Sequence, residues 1–146
     1  MAETLGSLCD KLNIIKLKQY HTNDLQRLDD LADQEKQLSE EINNYILDAV
    51  IGQIPPEKLV FSSNKVYKMK GNEIIKITGA IGTVISELAK VNCDLWHQQE
   101  KVYEFEKVPP DEKNIVVKWL ALLNLQRNHC IDEIDKIFQQ MITNKP

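Results

Sequence analysis

Apolar residues recur every three to four positions along most of this chain, which is the spacing of the buried face of an amphipathic helix. The runs cover residues 4–51 and 79–142, and each run divides in two, so the pattern predicts a mainly all-α fold with about four principal helices. The four stripes are, in order, Leu5, Leu8, Leu12, Ile15 and Leu17; Leu25, Leu28, Leu31, Leu38, Ile42, Tyr45, Ile46 and Val50; Ile81, Val84, Ile85, Leu88, Val91 and Leu95, with Val102 and Phe105; and Ile115, Trp119, Leu122, Leu123, Leu125, Ile131, Ile134, Ile137, Phe138 and Met141.

Capping and helix-breaking residues set the boundaries of the first two helices. Thr4 can cap the first helix, and Thr22 or Asn23 can cap the second. No Gly or Pro enforces a break between the two, so one long bent helix is an alternative. Gly52 and Pro55-Pro56 end this first half of the chain.

Similar signals bound the last two helices. Thr78 or Gly79 opens the third helix, and Val108-Pro109-Pro110 stops it. Asp111 and Glu112 suit the first turn of a fourth helix, because negative charge is stabilising at a helix N-terminus.

Residues 58–77 have a different character. Lys65–Lys70 and Glu73–Ile77 are rich in β-prone residues and flank Gly71-Asn72, a turn pair. The pattern predicts a short β-hairpin inserted between the two helical halves. Such a hairpin needs support from the helices or from a partner, since two strands alone are marginally stable.

The two helical halves are similar in sequence. Leu5–Leu12 returns in degenerate form as Ile81–Leu88, and Tyr20-His21 returns as Trp96-His97, at a common offset of 76 residues (97 − 21). The similarity predicts a degenerate tandem repeat of helical hairpins, residues 4–51 and 79–142, within one domain spanning 1–146. A pseudo-twofold cleft would lie between them.

Composition narrows the class of protein. The chain has 146 residues, 42% of them hydrophobic and 27% charged, as in a soluble globular domain. A net charge of −4 and a pI near 5.4 argue against non-specific binding to nucleic acid or to a membrane surface, because both need a cationic field. No signal peptide and no membrane span is recognisable, so we expect a cytoplasmic protein.

The three cysteines, Cys9, Cys93 and Cys130, are far apart and lack the spacing of a metal site. They are interpreted as free, buried thiols in a reducing compartment. We expect no cofactor and no metal.

Asp10 and Lys11 form a charged pair within an otherwise apolar stretch. Adjacent helical residues point about 100° apart, so at most one of them faces the apolar stripe squarely. One interpretation is a solvated helix flank. The other is a ligand site in which Lys11 contacts an anion and Asp10 positions it.

The aromatic-His pairs close equivalent helical segments in the two halves. An aromatic residue followed by His near a helix end is typical of core packing with a capping imidazole. The alternative is that His21, Trp96 and His97 line the shared cleft, where Trp96 or Tyr20 stacks on a planar base. Two histidines without nearby carboxylates at the spacing of metal ligands are poor evidence for a metal site.

Asn124, Arg127 and Asn128 lie at positions i, i+3 and i+4, on one face of the fourth helix. One interpretation is a buried polar network in which Arg127 pairs with a carboxylate such as Asp10 or Glu87. The alternative is a ligand pocket in which Arg127 grips a phosphate or carboxylate bidentately and the Asn amides read a base or sugar.

Four acidic residues bear on an enzyme alternative. Glu40, Glu41, Glu87 and Asp94 are similar in kind to the carboxylates of helical nucleotide pyrophosphatases, which hold Mg²⁺ between two helices. Those enzymes pair E-x-x-E with E-x-x-D, and neither spacing is present here. Solvated helix faces are the competing interpretation.

Several segments together resemble a helical family of uncharacterised phage and bacterial proteins. The resemblance lies in Leu5–Leu12 (L-G-x-L-x-D-K-L), in Trp96-His97 and in Leu123–Asp135 (L-N-x-x-R-N, then E-I-D), and Asn64–Lys68 is similar to phage members. The first half has Tyr20 in place of Trp and lacks the N-x-x-R-N segment, whereas the second has Ser86-Glu87 in place of Asp-Lys. If the shared polar residues act together, the resemblance implies one composite site; it implies no reaction.

Three functional hypotheses follow. The leading one is a non-enzymatic binding protein that holds a small anionic, nucleotide-derived ligand between the helical repeats. It includes the hypothesis that the protein is phage-encoded and sequesters a host immune signal. The candidate ligand-binding residues are Asp10, Lys11, His21, Trp96, His97, Asn124, Arg127 and Asn128. The alternatives are a Mg²⁺-dependent all-α nucleotide pyrophosphohydrolase and a homo-oligomeric interaction module without a ligand.

Overall fold

The computed structural model describes residues 3–61 and 79–144, which fold into four α-helices. These are α1 (Leu5–His21), α2 (Leu25–Val50), α3 (Ile81–Tyr103) and α4 (Lys113–Thr143), with single 3-10 turns at Pro56–Lys58 and Phe105–Lys107. The described ranges contain no strand, so the predicted all-α class is confirmed. None of the helices in these ranges combines the length and apolar composition needed to cross a bilayer.

Helix α1 lies at the centre of the bundle. It contacts α2, α3 and α4, while the most extensive helix pair is α3 with α4. Because three helices cover it, α1 buries residues on several sides rather than along one stripe, among them Leu5, Leu8 and Ile15. The main core cluster comprises Leu5, Ala49, Leu59, Val84, Leu88, Val91, Leu123, Cys130, Ile134, Phe138 and Ile142.

The first helix begins where the sequence predicted. Thr4 forms a capping box with Ser7: the Thr4 Oγ1 accepts from the Ser7 amide at 3.3 Å, and the Ser7 Oγ accepts from the Thr4 amide at 2.9 Å. Each side chain thereby satisfies a backbone donor that the first turn leaves unpaired.

The second helix begins one residue later than predicted. Its cap is Asp24, not Thr22 or Asn23, and the Asp24 carboxylate accepts from the amides of Gln26 and Arg27. A carboxylate outcompetes a neutral side chain here because it also complements the positive end of the helix dipole. The intervening turn separates α1 from α2, so the alternative of one long bent helix is wrong.

The boundaries of the second half also differ from the prediction. The N-cap of α3 is Ala80 rather than Gly79, and Thr78 lies outside the described residues. Helix α3 ends at Tyr103, before the prolines, because the 3-10 turn at Phe105–Lys107 already leaves the α-helical path. Helix α4 begins at Lys113, immediately after Glu112.

The predicted β-hairpin at residues 58–77 lies mostly outside the described residues. Its first residues do not form a strand: Lys58 closes a 3-10 turn, and Leu59 is fully buried in the core. An amide of Gln139 donates to the Pro56 carbonyl at 2.9 Å and ties this turn to α4. The chain therefore packs against the bundle as far as Leu59.

Part of the predicted apolar stripe of α4 is wrong. Ile115, Trp119 and Met141 are about half exposed, whereas Val116, which the stripe omitted, is buried. Val116 lies seven residues before Leu123, and two turns of helix bring such positions to the same face. Ile115 and Trp119 each come one residue before a position on this buried face. They are therefore rotated by about 100° from it and face outward.

Gly6 allows α1 to approach α4 closely. A Cβ at this position would collide with the backbone oxygen of Ile131 and lie 2.9 Å from Asp135 Oδ1. Gly82, which occupies the matching place at the start of α3, has nothing within 4 Å of its would-be Cβ. Of these two glycines, Gly6 alone is in close contact with another helix.

We expect Gly6→Ala to lower the free energy of unfolding by about 2 kcal/mol, because the added methyl group forces α1 away from α4. Gly82→Ala is the matched control and should cost no stability, since its methyl group enters open space. Urea unfolding followed by circular dichroism measures both. Equal effects of the two substitutions would contradict this account of Gly6.

Candidate functional site

A groove of about 480 Å³ lies between α1, α2 and α4. It is lined by Asp10, Lys11, Ile14, Ile15 and Lys18 of α1, by Gln34, Gln37, Leu38 and Glu41 of α2, and by Arg127 of α4. On α1 and α2 alike, four of the lining residues have the spacing i, i+3, i+4 and i+7, which marks one helix face. Two helix faces therefore meet across the groove. Its volume is within the range of small-molecule sites.

The two walls run in opposite directions. Lys16 Nζ and Glu35 Oε1 form an ion pair at 3.0 Å between α1 and α2, and this pair shows which positions of the antiparallel helices are level with each other. A step forward along α1 from this pair matches a step backward along α2. Lys18 is therefore level with Gln34, and Asp10 and Lys11 are level with Glu41.

Asp10 is a buried carboxylate held by two other helices. Its side chain is 7% exposed and forms a bidentate ion pair with Arg127, in which Nε donates to Oδ1 at 2.8 Å and Nη2 donates to Oδ2. Asn92 of α3 donates from Nδ2 to Asp10 Oδ1 at 3.0 Å. The hydrogen bonds to Asp10 raise the pKa of the Arg127 guanidinium further above its usual value. The pairing of Arg127 with Asp10, one of the alternatives drawn from the sequence, is thus present.

The remaining charges of the groove differ in their partners. Lys11 forms an ion pair with Glu3, and both side chains are partly exposed. Among residues 3–61 and 79–144, neither Lys18 nor Glu41 forms an ion pair. One cation and one carboxylate of the groove are therefore uncompensated within the described chain.

The aromatic-His pairs meet each other, away from the groove lining. The His21 ring stacks on Trp96 with centroids 4.7 Å apart and planes at 11°, and His97 packs edge-on to His21 at 6.3 Å. Tyr20 packs edge-on to His21 and is 85% exposed. His21 is eleven residues along α1 from Asp10, or about 16 Å. The structure thus places His21, Trp96 and His97 in one cluster, separate from Asp10, Lys11 and Arg127.

The two asparagines near Arg127 do not line the groove. Asn124 is exposed, and Asn128 Nδ2 donates to the Asn124 carbonyl oxygen at 2.9 Å, one turn back along α4. This local bond is the usual way in which a short polar side chain is satisfied within a helix. Of the eight candidate ligand-binding residues, the groove contains Asp10, Lys11 and Arg127.

A second buried carboxylate, Asp135, fixes the start of α1. It is 1% exposed, and its Oδ1 accepts from the Gly6 amide at 2.7 Å, while Oδ2 has no hydrogen-bond partner among the described residues. Burial raises the pKa of Asp135 to about 6, although the hydrogen bond from the Gly6 amide opposes the rise. Unlike Asp10, it has no cation beside it in the described chain.

The cysteines differ in depth. Burial raises the pKa of Cys9 and of Cys130 to about 11, and nearby carboxylates add to the effect, so both are protonated thiols at neutral pH. Cys93 is exposed, which corrects the expectation that all three are buried. Within the described ranges, no group of three or more His, Cys, Asp or Glu side chains is arranged to hold a metal ion. This finding includes Glu40, Glu41, Glu87 and Asp94.

Several residues that line the groove were not predicted from the sequence. Lys18, Gln34 and Gln37 follow ordinary solvent-facing spacing, and only the pairing of α1 with α2 turns them toward one another. The burial of Asn92 could have been predicted from the sequence, because it lies beside Val91 and four residues after Leu88 on the buried side of α3. A polar residue at such a position needs a partner, and Asp10 is that partner.

Comparison with known proteins identifies no relative: the chain matches no family model, no curated protein and no solved structure. The resemblance to a helical phage and bacterial family therefore stays a prediction from sequence.

We expect Arg127→Met to lower the free energy of unfolding by on the order of 3 kcal/mol, because it leaves the Asp10 carboxylate buried without a counter-ion. Asp10→Asn and the double variant complete a double-mutant cycle, measured by urea unfolding. The double variant should lose clearly less stability than the sum of the two single variants. Additive losses would show that the pair does not act as a unit.

We expect Asp135→Asn to be more stable than the wild type at pH 7, because the amide keeps the bond from Gly6 without burying a charge. The folded pKa of about 6 exceeds the usual value of 3.8, so the folded wild type binds its proton more tightly than the unfolded chain. The wild type therefore gains stability as pH falls from about 6 to about 4, and the advantage of the variant shrinks over that window by on the order of 3 kcal/mol.

Urea unfolding at a series of pH values measures this difference, with the exposed Asp94→Asn as the control for loss of one carboxylate. An advantage of Asp135→Asn that is constant from pH 4 to pH 7 would contradict the interpretation.

Proposed function

We propose that this protein is a non-enzymatic binding protein that holds a small anionic ligand, most simply a nucleotide-derived one, in the groove between α1, α2 and α4. The observation that carries the proposal is the groove itself, whose lining includes Lys18, a cation without an ion-pair partner among the described residues. An uncompensated cation in a cleft attracts anions even in a protein of negative net charge, because the local field dominates at short range.

Arg127 supports the proposal because it is positioned in advance. A guanidinium has five N–H donors, and Asp10 accepts two of them, which leaves three. Its side chain is 32% exposed and lines the groove. A ligand oxygen that binds these donors need not order a flexible side chain, since the Asp10 pair already holds it.

The rest of the lining suits a planar heterocycle. Ile14, Ile15 and Leu38 give an apolar surface on which a ring can lie, and Gln34 and Gln37 offer amides that both donate and accept. Mixed apolar and amide linings of this kind are typical of small-molecule sites. The ring would thus be held by the groove and not by Trp96 or Tyr20, because neither of these side chains lines the groove.

Two narrower hypotheses accompany the proposal, the degenerate tandem repeat and a role in phage. The first is compatible with the chain order, in which two helices are followed by two helices. The hypothesis that a phage uses the protein to sequester a nucleotide immune signal of its host derives from the sequence resemblance and from the chemistry of the groove.

A second candidate is a homo-oligomeric interaction module. The observation in its favour is the outward-facing apolar set on the first turns of α4, where Ile115, Val117 and Trp119 are each at least half exposed. Ile115 and Trp119 lie one helical turn apart on the same face, and exposed apolar side chains on one face are typical of protein–protein contacts. This candidate does not compete with a ligand in the groove, which lies elsewhere along the bundle.

The test is calorimetric titration of the protein with a panel of linear and cyclic nucleotides, preceded by native mass spectrometry of the gently purified chain. We expect Lys18→Met to weaken binding about tenfold, because it removes a charge-assisted contact to the ligand anion. Lys36→Met on the exposed side of α2 is the control for loss of one positive charge and should bind as the wild type does.

Three outcomes would contradict the proposal. Failure of every nucleotide to bind, together with a mass that depends strongly on protein concentration, would favour the interaction module. Conversion of a bound nucleotide that stops with a chelator would favour the hydrolase. Equal losses of nucleotide affinity in Lys18→Met and Lys36→Met would show that the ligand does not bind in the groove.

A further inference from the structure

The uncompensated charges of the groove are at opposite ends. Arg127 is paired with Asp10, and Lys11 is paired with Glu3, so these four charges are balanced locally. Within the described residues this leaves one cation, Lys18, and one carboxylate, Glu41, to interact with whatever occupies the groove.

The two unpaired groups are separated along the groove. Lys18 is level with Gln34, near the turn that joins α1 to α2, whereas Glu41 is level with Asp10 and Lys11. Seven residues of helix separate Lys11 from Lys18, which is about 10 Å. The groove therefore has a positive end and a negative end, with Ile14 and Leu38 on the walls between them.

We infer that the groove selects a bipolar ligand, with an anionic group at Lys18 and N–H or O–H donors at Glu41. A carboxylate only accepts hydrogen bonds, so an anionic group beside Glu41 would be repelled, and a group with two parallel donors would be bound. A ligand that is anionic along its whole length, such as an extended polyphosphate, is therefore disfavoured.

Among nucleotides, this pattern fits a single phosphate followed by a ring that carries an exocyclic amine. The phosphate binds at Lys18 and Gln34, the ring lies on Ile14 and Leu38, and the amine donates to Glu41. The inference rests on the proposed function, because it assigns the chemical class and the orientation of the ligand in that same groove.

The test compares three probes of equal charge by calorimetric titration: adenosine 5′-monophosphate, guanosine 5′-monophosphate and purine riboside 5′-monophosphate, whose ring has no donor. We expect the wild type to bind the two amine-bearing probes about tenfold more tightly than the third. Glu41→Ala should remove this preference by weakening the binding of the amine-bearing probes alone.

Glu40→Ala is the matched control, because Glu40 is the neighbour of Glu41, is exposed as Glu41 is, and does not line the groove. It should keep the preference of the wild type. Lys18→Met should weaken the binding of all three probes equally, since all three carry the same phosphate.

The possible failures are distinguishable. If no probe binds to the wild type, the proposed function fails. If the probes bind and Lys18→Met weakens them, but Glu41→Ala changes all three alike, the proposed function stands and the bipolar orientation is overturned. A preference lost equally in Glu40→Ala and Glu41→Ala would also overturn it.

Discussion

The ion pair between Asp10 and Arg127 is the constraint on which the rest of the structure depends. Its carboxylate is enclosed by α1, α3 and α4, and Arg127 and Asn92 supply the counter-ion and the hydrogen bonds that offset its burial. Satisfying one buried charge thus fixes the relative register of three helices. It also fixes the position of the guanidinium in the wall of the groove, and the same contact therefore serves both the fold and the proposed site.

The two buried carboxylates of the α1–α4 contact are stabilised in different ways. Asp10 is matched by a full positive charge, whereas Asp135 has the Gly6 amide and the positive end of α1. A helix terminus carries only about half an elementary charge. That is too little to offset burial, which is why the pKa of Asp135 rises to about 6. The absence of a side chain at Gly6 is what brings this carboxylate within reach of the helix end.

Local signals accounted for the helices and for the cap at Thr4, because helix periodicity and capping are encoded within a few residues. Local signals did not distinguish between neighbouring residues of similar type. The cap is Asp24 and not Thr22 or Asn23, and the buried residue is Val116 and not Ile115. The pairing of Arg127 with Asp10 was among the sequence alternatives because both residues stood out from apolar surroundings. Lys18 and Gln34 did not stand out, since a groove exists only once α2 has folded back on α1.

The three cysteines lie at three depths: Cys93 is exposed, Cys9 is partly covered, and Cys130 has no exposed surface between α3 and α4. A thiol-modifying reagent reaches a buried sulfur only when the structure around it opens, so its rate reports the free energy of that opening. The labelling rates of the three cysteines therefore report how the helices separate. Labelling at Cys130 follows opening of the α3–α4 core, labelling at the partly covered Cys9 is slowed less, and Cys93 supplies the unhindered rate for both.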